Sequence, residues 1–450
     1  MKPVIFREKV MLSCMIVLIF FFVSIFVRLS TRIILVKKLH WNNEITQTIL
    51  FDSKGLQSVN NKVEHKTINI AWNEVYPFEK DETTDRWNVL KGLQAKIRIM
   101  EENLVEEWTT EHLVSYRLFV EMGRNLENKI GWNVVNPAMK VYRFSDGYLT
   151  YIDVKKNQND RIESICNFAD FVKSQGGEFL YIQSPNKTNP FFDKELKGID
   201  YANDNTDRLL QGLCMRNISV YDLRYDFYKD YGNAGWHQAF FMTDHHWKPD
   251  TAIWVSRKIN EKLTKDYDVD VNLEHFAFED YKIVKYKEYF LGSQGKKTTL
   301  ANTPADDFEI YYPKFLTNIH IDIPKYGISK RGDFSIFYDM QALGKGDYYI
   351  ENPYAVYSYS NQPEMVIHNY ENENLKDKKI LLIKDSMLNV TIPFLSMGLK
   401  DLRVLDLREF TGSVKSYVMK YKPDIVLVMY GPPLINDIIW ENHNDLYDFR

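Results

Sequence analysis

Two stretches of this chain hold residue types that can do covalent chemistry. The first is AFFMTDHHWKPDTAIW, Ala239 to Trp254, where Asp244, His245 and His246 stand side by side before Trp247. The second is ILLIKDSMLNVTIPFL, where an apolar run ends in Asp385-Ser386. A serine hydroxyl is a poor nucleophile until a base takes its proton, and that base is usually a histidine oriented by an acid. Asp244 and His246 supply acid and base two positions apart. In an extended loop, residues i and i+2 face the same side. Asp244 and His246 would then line one cleft, with His245 pointing away.

Each stretch also has a plainer reading. Ser386 after a strand can serve as a helix N-cap. Thr243 or Asp244 can cap the helix that starts beside Pro249. A metal site is the third reading, because His237, Asp244, His245 and His246 offer four ligand side chains within a short span. Adjacent histidines rarely point at one ion, however, and no i, i+4 histidine pair falls on a helix. No metal is expected. There is no P-loop and no G-x-G-x-x-G, so no nucleotide cofactor is expected either.

The elements that must position these residues follow an alternating pattern. RIESICNFADFVKSQGG reads as a helix with a glycine stop, and EFLYIQS as a short apolar strand that ends in the loop PNKTNP. A helix near Asp204 to Met215 leads to the strand ISVYDLR, and DTAIWVSRKINEKL is an amphipathic helix. KKILLIKDSMLNVTIPFLSMG, LRVLDLR and VKSYVMKYKPDIVLVMYGPP continue as strand-turn-helix, strand, and helix-strand. Upstream, KVYRFSDGYLTYID alternates around an Asp-Gly turn and reads as a hairpin. Apolar strands alternating with helices predict an α/β fold whose mostly parallel sheet is covered on both faces. Residues 270–375 break the rhythm. They are rich in Tyr, Gly, Asp and Lys and read as an insertion of short strands and loops. In such sheets ligands bind beyond the carboxyl ends of the strands, where Ser386 falls.

With 450 residues the chain exceeds one ordinary core. Its net charge of −4 gives no electrostatic footprint for nucleic acid. The 29 Tyr, 27 Phe and 9 Trp suit carbohydrate contacts or a tyrosine-rich core. Cys14, Cys166 and Cys214 form no C-x-x-C pair, which argues against a zinc ribbon, and free buried thiols are expected.

Residues 1–9 form a short tail. Val10 to Val27, VMLSCMIVLIFFFVSIFV, is uncharged and just long enough to span a hydrocarbon core. The bulky, basic residues after it offer no cleavage site, so a retained transmembrane anchor is expected at 10–27. The flanking charges do not set its orientation. Residues 28–134 read as a juxtamembrane stalk followed by amphipathic helix. Residues 135–450 hold the βα pattern.

These motifs together resemble the DHHW protein family, related to the alginate O-acetylation proteins within the SGNH (GDSL-like) hydrolase superfamily. The resemblance rests on VYRFSDGYLTYI, SPNK, TDHHW, YFLGSQGKKT, LLIKDSMLNVTIPFL and KPDIVLVMYG, and covers about residues 135–435. It implies a three-layer α/β/α domain with Ser386 as nucleophile, His246 as base and Asp244 as orienter. Acid and base precede the nucleophile, the reverse of ordinary SGNH enzymes. The nucleophile turn of those enzymes reads Gly-Asp-Ser, and here Lys384 replaces the glycine. Gly292 or Gly295 is expected to offer an oxyanion N–H, and Asn389 a side chain. Lys187 and Trp247 are expected to face the same cleft.

The expected activity is O-acyl transfer, of acetyl, to a cell-envelope or exopolysaccharide sugar, or hydrolysis of the same ester. By resemblance, the acyl donor is a separate multi-span membrane acyltransferase, and the catalytic part lies outside the cytoplasm. The other class of function is a non-catalytic module that holds polysaccharide during export. It would have no use for a nucleophile.

Overall fold

The computed structural model describes residues 134–135, 140–431 and 446–450. The tail, the span at 10–27 and nearly all of the stretch 28–134 lie outside them. No helix among the described residues is long and apolar enough to cross a membrane. Every element below belongs to the compact unit Met139–Arg450.

The expected hairpin forms from β1 (Val141–Arg143) and β2 (Leu149–Tyr151), which pair antiparallel. Its turn contains Gly147 at φ +91, a left-handed conformation that glycine adopts without steric cost. The chain continues through α1 (Asn159–Ser174), β3 (Glu178–Gln183), α2 (Ala202–Met215), β4 (Val220–Asp222), α3 (Leu223–Trp236) and α4 (Pro249–Tyr267). A second hairpin, β5 (Tyr281–Phe290) with β6 (Asp306–Pro313), brackets the short helix α5 (Ser293–Thr298). Then come β7 (Ile319–Ile323), β8 (Ile328–Gly332), β9 (Glu364–Asn369) and β10 (Ile380–Lys384). The chain closes with α6 (Ile392–Leu395), β11 (Asp401–Leu405), α7 (Val414–Tyr421) and β12 (Ile425–Tyr430).

Eight strands form one sheet in the order β4-β3-β12-β10-β11-β9-β7-β8. The first five run parallel. Strands β9, β7 and β8 extend that sheet antiparallel. The stretch 270–375 is therefore no peripheral insertion, because it supplies three strands of the main sheet. Its strands show why: IHIDI and EMVIHN bury every second residue, the pattern of a sheet half with one wet face.

The central parallel strands β3, β12 and β10 are buried on both faces. Ile380, Leu382, Leu180, Ile182, Leu427 and Met429 pack on one side, against Ala252, Ile253, Val255, Ile259 and Leu263 of α4 and Phe227 of α3. Leu381, Ile383, Phe179, Tyr181, Val426 and Val428 pack on the other, against α1, α2 and Val418 of α7. Three layers follow from this two-residue alternation. Cys166 is a buried free thiol, but Cys214 is exposed, at the polar end of α2.

His237 joins two loops beside the site. Its Nδ1 lies 2.7 Å from Asp146 Oδ2 in the β1–β2 turn, and its Nε2 lies 3.2 Å from Asp193 Oδ2 in the loop after β3. Burial alone would lower its pKa, but the bonds to the two carboxylates prevail and raise it to about 9. That exceeds the roughly 6.5 of a free histidine. The stabilisation from this charged bridge is therefore complete below about pH 6.5 and fades as pH rises through the folded-state value. Urea midpoints measured across that window should fall with rising pH in the natural protein. They should fall less in His237→Asn.

Candidate active site

β10 delivers Ser386 to the carboxyl edge of the sheet. Between Ile380 and Leu399 it is the one residue that is not buried. Asp385 caps the turn Ser386–Leu388: its Oδ1 accepts from Met387 N at 2.8 Å, and its Oδ2 accepts from Gly431 N beyond β12. A long helix does not follow. A 3-10 turn and the single turn α6 take its place, because Val390 and Thr391 are β-branched and Pro393 has no N–H to donate.

Lys384, standing where the resembled family has glycine, is fully buried under this turn. Its ammonium donates to Asn389 Oδ1 at 2.6 Å and lies 3.1 Å from Asp406 Oδ2. Arg408 Nε donates to Asp406 Oδ1 at 2.9 Å. Breaking such a buried pair by removing one partner costs about 3–5 kcal/mol.

The other half of the site is the loop from Phe241 to His246. Phe240 and Trp247 form an antiparallel bridge, and Phe241 N donates to His246 O at 3.0 Å. The loop is pinched shut at its base, with Phe240, Phe241 and Trp247 as buried feet. Pro249 opens α4 directly behind it.

These two halves bring Ser386, His246 and Asp244 together. His246 Nε2 lies 3.0 Å from Ser386 Oγ. Its Nδ1 bonds to Asp244 Oδ1, which also accepts from His246 N at 3.1 Å. Asp244 Oδ2 accepts from Ser293 N at 2.6 Å. Burial would raise the Asp244 pKa, but His245, His246 and the Ser293 N–H override it and hold the carboxyl well below its usual range. Asp244 is an ionised acceptor with both oxygens engaged. The Tyr354 ring stacks on His246 with centroids 3.8 Å apart, and its hydroxyl donates to the Ser386 carbonyl at 3.0 Å. Tyr354 thus touches both the His246 ring and the Ser386 turn. Nothing in its sequence context, NPYAV in the irregular stretch, marks it.

The remaining expected site residues take other places. His245 does not point away: its ring lies 3.8 Å from that of His246, and its Nδ1 is 3.2 Å from Ser293 Oγ. The loop is bent rather than extended, so two-residue alternation fails. Trp247 is buried, and its indole N–H donates to Thr391 Oγ1 at 3.0 Å, so it has no face for a ligand. Gly292 N is bound to Thr243 Oγ1 and Gly295 N to the Thr243 carbonyl, both at 2.8 Å. Neither N–H is free for an oxyanion. Asn389 is buried between Lys384 and Asn361.

Lys187 lies beneath the loop, not in the cleft. Its ammonium donates to the carbonyls of Leu149, Met242 and Asp244 and to Gln294 Oε1. Burial lowers its pKa to about 7, against the pull of Asp306 and Asp244. Asp306 braces the same loop, accepting from Met242 N at 2.6 Å and Thr243 N at 2.8 Å. It lies in the irregular stretch and no local motif announces it. His237, a candidate ligand by sequence, is paired elsewhere. The ligand atoms of Asp244, His245 and His246 lie within 4.8 Å of one another. The Asp244 oxygens and both His246 nitrogens are already spent on hydrogen bonds.

The fold and this geometry define an α/β protein with a serine, histidine and carboxylate convergent at a sheet edge. No protein-family model matches the chain, and no curated protein matches its sequence. Solved structures do match. PatB1 of Bacillus cereus is 23% identical with a TM-score of 0.53, over 69% of this chain and 99% of that one. A second PatB1 structure, with a sulfonyl adduct, is 21% identical at the same TM-score and coverage. A DHHW family protein from Eubacterium siraeum is 16% identical with a TM-score of 0.50, over 65% of this chain and 89% of that one. The fold of a DHHW protein, read from the motifs, is the fold found.

Gly292 matters for space. A Cβ there would sit 2.2 Å from Asp244 Cβ and 2.7 Å from Asp244 Oδ2. Gly292→Ala should push Asp244 off His246 and lower kcat, while costing about 1–3 kcal/mol as an overpacked site does. Steady-state kinetics beside a urea titration checks both. Natural kcat in the variant would refute the close approach.

Proposed function

We propose that this chain is a serine-dependent O-acyltransferase, acting with acetyl on a cell-envelope or exopolysaccharide sugar. The observation that carries the reading is His246, placed between the Ser386 hydroxyl at 3.0 Å and the Asp244 carboxylate. That is the arrangement a serine needs to become a nucleophile. The shared fold with PatB1, one structure of which holds a sulfonyl adduct, supports the reading, since sulfonylation is a reaction of activated hydroxyls.

The steps follow from the geometry. Ser386 Oγ attacks the carbonyl carbon of an acetyl ester while its proton passes to His246 Nε2. The tetrahedral oxyanion collapses, and the departing alkoxide takes that proton. Ser386 is left acetylated. A sugar hydroxyl then gives its proton to His246 and attacks the acetyl carbon. Ser386 Oγ leaves and recovers the proton. Asp244 holds the His246 ring with Nε2 toward serine and stabilises the imidazolium formed in each half. With water as acceptor, the same steps make an esterase. No metal enters these steps.

The anchored topology belongs to this proposal: residues 10–27 cross the membrane and the chain that follows them lies outside the cytoplasm. The acetyl donor is a multi-span membrane acyltransferase. A reporter active only outside the cytoplasm, fused to the C-terminus, should give signal. Silence at normal expression rules the topology out.

The chemistry is tested with the purified chain and a generic acetyl ester. Acetate release should vanish in Ser386→Ala and His246→Ala and should survive EDTA. Asp244→Asn should lose about 10⁴ in kcat. An aryl sulfonyl fluoride should mark Ser386. Acetyl found on an added oligosaccharide, rather than as free acetate, establishes transfer. Loss of activity to chelator with recovery on zinc would replace this mechanism by a metal one.

A further inference from the structure

The turn that carries Ser386 is closed by Asn389 N, which donates to the Ser386 carbonyl at 3.1 Å. The same turn is also gripped from outside, by one segment of the irregular stretch. The Tyr354 hydroxyl donates to the Ser386 carbonyl at 3.0 Å. Ser358 Oγ donates to the Asn389 carbonyl at 2.8 Å. Asn361 Oδ1 accepts from Asn389 Nδ2 at 3.1 Å. The direction of that last bond is fixed. An ammonium can only donate, and Lys384 Nζ donates to Asn389 Oδ1 at 2.6 Å, so the amide turns its Nδ2 toward Asn361.

The gripping segment is strained. Ser358, Tyr359 and Ser360 have φ of 51, 58 and 66. In this left-handed region the Cβ of an L-residue crowds its own backbone, and residues other than glycine enter it singly rather than in a run. Both ends of the run are fastened, so it cannot relax. Before it, Tyr338 and Tyr357 form an antiparallel bridge, and Ser358 N donates to the Phe337 carbonyl at 3.0 Å. After it, the Pro363 carbonyl accepts from Asp406 N at 3.3 Å, and β9 begins at Glu364. Backbone held in a sparsely populated conformation is paid for elsewhere in the fold and gathers at functional sites. Here the run sets the Ser358 and Asn361 side chains, three positions apart, on one residue of the nucleophile turn.

Resting on the serine reading above, we propose that Ser358 and Asn361 are positioning residues for Ser386, aimed by the left-handed run 358–360. Lys384 and Asp385 hold the start of the turn, and Ser358 and Asn361 hold its end. The turn then cannot roll about the axis of β10, and the Ser386 hydroxyl stays within reach of His246 Nε2.

Ser360 separates this from plain packing, because its side chain takes no part in the grip. Ser360→Gly permits the left-handed conformation, whereas Ser360→Val opposes it through a β-branched side chain. Two rates are read per folded molecule: kcat on an acetyl ester, and labelling of Ser386 by an aryl sulfonyl fluoride. Both should stay natural in Ser360→Gly. Both should fall about 10- to 100-fold in Ser360→Val and in Asn361→Leu, with KM little changed, as for a displaced reacting group. Ser358→Ala combined with Asn361→Leu should lose less than the product of the two separate losses, since both act on one turn. If Ser360→Val does not fold, Ser358→Ala and Asn361→Leu still decide. Natural labelling and kcat in folded Asn361→Leu, or equal losses in Ser360→Gly and Ser360→Val, overturn the assignment. Turnover that persists in Ser386→Ala would instead remove the serine reading itself, whatever the variants at 358, 360 and 361 do.

Discussion

The Asp244 carboxylate is the fixed point of this site. Its two oxygens take three donors: His246 N, His246 Nδ1 and Ser293 N. Those donors come from the loop before α4 and from the start of α5, 49 residues further along the chain. The carboxylate therefore does more than hold the His246 ring. It ties the irregular stretch to the histidine loop. Because the site is buried, each bond is stronger than it would be in water, and any donor withdrawn leaves the buried charge less well compensated.

What makes that arrangement stable is a second layer of buried polar groups. Lys187 sits below the loop and holds three of its neighbouring carbonyls. Asp306 gathers the N–H groups of Met242 and Thr243. Under the serine turn, Lys384 and Arg408 share Asp406. Burying these ions is costly in itself, so they add little net stability over apolar side chains. What they add is position. The histidine loop cannot rotate without stranding Lys187, and the serine turn cannot shift without breaking the pair at Asp406. Lys384, where the resembled family has glycine, runs down into the core, and its ammonium is held there by Asn389 and Asp406.

The sequence exposed those parts whose signal is local. The central parallel strands β3, β10 and β12 were legible as apolar runs because both their faces are buried. The hairpin at Asp146-Gly147 was legible because its turn needs a left-handed residue. Asp244, His246 and Ser386 stood out through the TDHHW string and the apolar strand ending in Asp-Ser, the motifs that carry the family resemblance. Relations between distant segments left no local trace. β7 and β9 alternate like any surface strand, and nothing in them says that they join the main sheet. Tyr354 and Asp306 lie in the irregular stretch, and only the folded chain shows them at the site. Trp247 reads as a ligand platform beside two histidines, but its neighbours Phe240 and Phe241 already marked that segment as core. Gly292 and Gly295 were singled out for the wrong property: their missing side chains make room for Asp244 and Thr243, while their N–H groups are spent.

Passage of acyl groups through Ser386 is tested by mixing the protein with an acetyl ester, quenching in acid before the first turnover is complete, and weighing the peptides. One acetyl group is expected on the peptide that carries Ser386, located at that hydroxyl and removed again when a sugar acceptor is added before the quench. An active enzyme whose Ser386 never carries acetyl, or which carries it on another residue, would contradict it.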